Sequence, residues 1–293
     1  MPRLGDLAGG GEVHRLDVSS VYKREWLMSG DYNQKLFFAK IRPYEEIIDS
    51  FLELEKKNLT EIKEKPELAA LLQVALANDM LNLASNYLVI SGVSEAVMSS
   101  KNAVALDNAR KSLYKSIIYL EKTVTNFVDA PFSDYEEKLA EIDSIDANKR
   151  YFLIRKMGLT LELVKNAYGR KSRWRWPLVE MEGRFAAVAK NIINLRKAVE
   201  NRDPRSSSYE ATVYHTRLVK RILTQAAYSY HEKFEFNSSD LADLRKGINL
   251  LYALRRFNIV LGDRGDAEEL KKKLDKWNAK YDNNQRKGLG TGS

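Results

Sequence analysis

Pro177-Leu178-Val179-Glu180-Met181-Glu182-Gly183-Arg184-Phe185-Ala186-Ala187-Val188-Ala189-Lys190-Asn191-Ile192-Ile193-Asn194-Leu195-Arg196-Lys197-Ala198-Val199 decides the fold of this chain. Leu178, Met181, Phe185, Val188, Ile192, Leu195 and Val199 recur at alternating spacings of three and four, so one apolar seam runs without exception over three heptads. A proline at its start suits the first turn of a helix. The stretch predicts one long helix packed lengthwise against others.

Immediately before it, Gly169-Arg170-Lys171-Ser172-Arg173-Trp174-Arg175-Trp176 places four cations and two indoles within seven residues. Farther back, Pro43 is expected to open a helix bearing Tyr44, Ile47, Ile48, Phe51 and Leu52. Pro66 ends that helix and starts another, which runs to a cap at Gly92. Only Glu67 and Asp79 are charged along this second helix, so it is expected to be central. Asn78, Asn82 and Asn86 recur every fourth residue and are expected to face water. A third helix is expected over Ala103–Val128, on the seam Leu106, Leu113, Ile117, Leu120, Val124 and Phe127. Ser133-Asp134-Tyr135-Glu136 and Ser207-Ser208-Tyr209-Glu210 have the form of capping boxes and mark two further helix starts. A break at Asp143–Asp146 precedes a helix over Ala147–Tyr168. Gly262 closes a helix on Leu241, Leu244, Ile248 and Leu251, and a last charged helix follows.

No stretch alternates with period two between turn residues, so the fold class is all-α. About eight helices are expected, arranged as two packed antiparallel bundles or as one irregular helical solenoid. The expected organisation is a flexible arm over 1–18, an acidic helical region over 19–168 and the Arg/Trp connector over 169–176. A basic helical region over 177–282 and a disordered tail over 283–293 complete it. The charge justifies the division. Residues 1–150 carry 19 Lys and Arg against 24 Asp and Glu, whereas residues 151–293 carry 29 against 16. Such a split points to an acidic partner for the second half, or to its docking on another copy.

Several functions are excluded or disfavoured. With no cysteine there are no disulfides, thiolate metal sites or cysteine nucleophiles, and a reducing compartment fits. The N-terminal residues lack a signal-peptide pattern, and Leu68–Ser94 is interrupted by Asp79 and three asparagines, so a cytoplasmic protein without a membrane span is expected. The three histidines, His14, His215 and His231, lack a glutamate three residues earlier, so no di-iron pattern exists. His215 and His231 sit sixteen residues apart on one expected helix, about 24 Å of rise, and read as ordinary helix histidines. Phosphate-binding glycine loops and nucleophile elbows are missing. No cofactor, metal or catalytic residue is assigned, and an enzyme is not the expected class.

The basic surface remains. Arg170, Lys171, Arg173, Trp174, Arg175 and Trp176, extended by Arg184, Arg217, Lys220 and Arg221, are expected to bind a partner. Lys190, Arg196 and Lys197 read as further exposed cations. The expected function is a non-enzymatic interaction or scaffold protein that docks an acidic protein partner or another copy of itself. The alternative is nucleic-acid binding, with arginines on phosphates and indoles stacked on bases. Against both stands a structural use of the tryptophans, wedged between helices with arginines over their rings.

Overall fold

The protein is seen in a computed structural model that describes residues 32–238 and 240–290, with side chains through Arg286 except at 238. The expected arm over 1–18, including His14, lies outside the described residues, as do 291–293. Among the described residues the chain is all-helical with no strand. Ten α-helices follow in order: α1 Tyr32–Glu64, α2 Ala69–Met98, α3 Ala103–Thr123, α4 Glu136–Ala140, α5 Ala147–Tyr168, α6 Arg175–Asn191, α7 Leu195–Glu200, α8 Tyr209–Lys233, α9 Leu241–Val260 and α10 Arg264–Gly290. They form two compact units. One takes the residues up to Thr123 and Leu159–Gly169, the other Val124–Gly158 and Arg170 onward.

In the first unit α2 packs against both α1 and α3. Ser116 Oγ of α3 donates to the Ala77 carbonyl at 2.7 Å and Thr123 to Gln73 at 3.3 Å, so α2 and α3 run antiparallel. Leu76, Met80, Leu81, Leu83, Ala84, Tyr87 and Ile90 are buried around most of α2, as expected for a central helix. Its most apolar window has a mean hydropathy of 1.3, enough by length and composition to cross a membrane; half of that window is buried here. A buried carboxylate ties the unit together. Glu55 of α1 accepts from Tyr119 Oη at 2.5 Å and Lys115 Nζ at 2.8 Å, both on α3, which answers the cost of burying its charge. Burial, with that bond to Glu55, pushes the Tyr119 phenol well above its ordinary range.

Several boundaries differ from expectation. Pro43 lies inside α1 rather than opening it. Gly92 is helix interior, and α2 ends instead at Ser99, whose φ of 55° is the left-handed cap. Helix α3 stops at Thr123, and Phe127, expected on its seam side, is exposed. The asparagine stripe is half-buried, with the Asn86 amide donating to the Asn82 carbonyl at 2.9 Å. Neither serine capping box forms. The caps that do form are made by Asn102, Asp146, Asn194 and Asp240, whose side chains accept from the backbone of Ala105, Lys149, Lys197 and Ala242. The expected disordered tail is helical as far as Gly290, with Asn284 returning a bond to the Lys280 carbonyl.

The second unit is built on α6, α8, α9 and α10. Helix α9 packs on both α8 and α10, and α6 on α8. Lys220 meets Asp263, His231 meets Trp277 and Lys280 meets Glu235, so α8 and α10 run parallel with α9 returning between them. The opening seam is buried from Leu178 to Leu195, but it is not one helix. Helix α6 stops at Asn191, and Asn194 caps the short α7. The break has a visible cause: the Asn194 side chain takes the Lys197 N–H at 3.1 Å, and Arg150 Nη1 takes the Ile192 carbonyl at 3.2 Å. Past it, Val199 is 47% exposed.

Candidate functional site

The connector is held from several sides. Gly169, with φ of +80°, ends α5 as only glycine does cheaply, and the Trp174 N–H bonds Ser172 Oγ at 3.2 Å. Arg175 donates to Glu232 of α8 at 2.6 Å, pinning the start of α6 to the end of α8. Trp174 and Trp176 are both half-buried. Arg173 lies over the Trp174 ring at 5.4 Å and Arg175 over Trp176 at 4.3 Å. Arg170, Lys171 and Arg173 are exposed, and no carboxylate among the described residues pairs with them.

The remaining basic positions are not gathered there. Arg217 is fifteen residues before Glu232 on α8, about 22 Å along the axis. Arg217 and Arg221 are exposed one turn apart, without a carboxylate partner among the described residues. Lys220, between them, is already committed to Asp263 at 2.8 Å and Asp266 at 3.0 Å. Asp263 also takes Arg202 at 3.0 Å; burial pushes its carboxyl up, but these cations hold it below the ordinary range. The four line a groove of about 450 Å³ together with Tyr209 and Arg217. Arg184 is half-buried on α6. Lys190 is not a surface cation at all. It is buried, donates to the Ala130 carbonyl at 3.3 Å, and burial pushes it down to about 8.

A second concavity escaped the sequence reading. Within the second unit, Arg150, Asp143, Lys197, Ser208, Thr212 and His215 line a cavity of about 190 Å³. Arg150 is buried and donates to three carbonyls, those of Ile142 at 2.8 Å, Ile145 at 2.8 Å and Ile192 at 3.2 Å. It thus knits the α4–α5 link to the break after α6. His215, read as an ordinary helix histidine, is buried, and its Nε2 has no hydrogen-bond partner. The signal was available in the period: His215 stands on the buried stripe of α8 with Val219, Ile222 and Ala226. For Arg150 no pattern distinguishes it from a surface cation. Among the described residues no group of three or more His, Asp or Glu is arranged to hold a metal ion.

Compared with known proteins, the chain belongs to the TP0443 family, whose model matches residues 33–285. No curated protein and no solved structure matches it.

Proposed function

We propose that this TP0443-family protein is a non-enzymatic cytoplasmic interaction protein whose connector docks an acidic segment of a partner protein or of another copy. The observation that carries the reading is the row of Arg170, Lys171 and Arg173, displayed on a fixed backbone and unanswered by any carboxylate among the described residues. Charged groups left open in this way favour encounter with an opposite surface and steer it at low salt. Arg217 and Arg221 offer a second, separate contact farther along α8. Nucleic acid is the weaker reading. The indole faces it would use for stacking already carry Arg173 and Arg175, and Arg175 is spent on Glu232.

The test is fluorescence anisotropy with a labelled oligoglutamate peptide and with labelled single-stranded and duplex DNA, across a salt series. A variant with Arg170, Lys171, Arg173 and Arg175 replaced by serine runs beside the wild type. Peptide binding that weakens with salt and falls at least tenfold in the variant, with helical content unchanged, supports the proposal. Tighter binding of DNA, with a steep salt slope, would transfer the surface to nucleic acid. No binding of either at low salt, or loss of helical content in the variant, would refute a display role for the connector.

A further inference from the structure

The cavity bounded by Arg150 and His215 lies in the second unit, where the link before α5, the break after α6, α7 and the first turns of α8 converge. Its 190 Å³ exceeds the roughly 150 Å³ that admits benzene, so a small organic molecule fits and a peptide or nucleic acid does not.

The charge of its walls has a sign. The three carbonyls on Arg150 satisfy its N–H groups but are neutral and leave its charge in place. The carboxylate that touches Arg150 is Asp143 at 3.4 Å, and Asp143 is shared with Lys197 at 2.8 Å. Asp146, the other acid of the wall, caps its own helix through the Lys149 N–H at 2.8 Å and is paired at 3.5 Å with Lys149 Nζ, a cation outside the cavity lining. Two cations therefore face one available carboxylate. To these is added the start of the long helix α8 at Tyr209, which no side chain caps and whose first turn presents partial positive charge to the same space.

An independent observation points a polar atom into this space. His215 is 4% exposed and lines the cavity, yet its Nε2 has no hydrogen-bond partner. Native interiors seldom leave such an atom unanswered. Its surroundings keep the ring neutral, since both burial and the field of Arg150 oppose protonation. A neutral imidazole has one N–H to give, and Ser208 and Thr212 bring hydroxyls to the same wall.

From this we infer that the cavity binds a small anion, a carboxylate- or phosphate-bearing molecule up to about the size of benzene, with His215 Nε2 donating to it and Lys197 as its counter-charge at the mouth. Lys197, 53% exposed at its side chain, gates the site without being needed for the core. Arg150 acts from behind, through its field.

The experiment uses the full chain in a chloride-free buffer and follows the imidazole Cε1–H resonance of His215 by NMR, assigned with His215→Gln. Inorganic phosphate and acetate are titrated separately, with glycerol as an uncharged control. Expected are a saturable shift with at least one anion, none with glycerol, and at least tenfold weaker binding in Lys197→Gln. Arg205→Gln, which removes an exposed cation paired to Asp203 outside the cavity, should leave the affinity unchanged. The inference fails if neither anion gives a saturable shift, if glycerol acts equally, or if Lys197→Gln binds as the wild type does. Any of these would leave the cavity to water.

Discussion

The ring of Tyr230 lies so close to the backbone of Gly183 that a Cβ on Gly183 would stand 2.6 Å from the ring and 2.8 Å from its hydroxyl. The ring has little freedom to retreat. It is buried, and its hydroxyl donates to Glu180 at 2.8 Å, an oxygen that also takes Lys246 at 2.7 Å. Gly183→Ala should therefore cost about 1–3 kcal/mol as an overpacked contact, measured by urea unfolding. A change under about 0.5 kcal/mol would show that α6 and α8 can separate locally at no cost.

The opening seam yields a contrast between two of its own residues. Phe185 is 3% exposed, so Phe185→Ala should destabilise by about 3–5 kcal/mol. Val199, beyond the break at Asn194, is half exposed, and Val199→Ala should stay within about 0.5 kcal/mol. Equal effects would mean that the seam continues through the break.

Burial, with the field of Arg150 behind it, pushes His215 from its ordinary 6.5 down to about 3. Between those values the unfolded chain binds a proton that the folded chain refuses, so stability present above pH 6.5 is lost as the pH falls. The loss from pH 8 to pH 5 should be about 2 kcal/mol through this group. His215→Gln should remove that part of the pH dependence, while His231, also lowered by burial, remains in both proteins. Parallel urea midpoints for the two proteins at pH 5 and pH 8 would show that His215 is not held neutral.

Lys190 is buried against the Tyr135 ring at 5.6 Å with a carbonyl but no carboxylate among the described residues, and burial pushes it from 10.5 down to about 8. Its cost is therefore full at pH 7 and is relieved as the pH rises from 8 to 10.5, where only the unfolded chain still binds the proton. Lys190→Met should raise stability at pH 7 by about 1–3 kcal/mol and gain less at pH 9.5. Destabilisation at pH 7 would mean that the bond to Ala130 outweighs the buried charge.

The helices were legible because their apolar residues keep a 3.6 period, and Leu178 through Leu195 are buried as that period requires. Where the reading failed, a competing local bond decided. Asn194 looked like one polar residue in a seam, yet its side chain captures a backbone N–H and ends the helix, helped by an arginine more than forty residues away. Ser133 and Ser207 had the right spacing for capping boxes, but the helices that follow start without a side-chain cap. Of the basic residues, spacing marked which stand on α8 but could not tell Arg217, left open, from Lys220, answered by Asp263 just before α10 and Asp266 in its first turn. The cavity was invisible for a similar reason: Arg150, Lys197 and His215 meet only after three segments distant in sequence have packed.

Helix α5 belongs to both units, passing from one to the other between Gly158 and Leu159 without a break. Neither unit is thus a continuous piece of chain. During synthesis the first must wait for residues up to Gly169 to leave the ribosome, by which time the opening segment of the second has already emerged. A gene truncated at the connector would carry Val124–Gly158 as an orphan, and one begun there would lack it. To isolate either half, an engineer would have to circularly permute or splice the chain rather than cut it once.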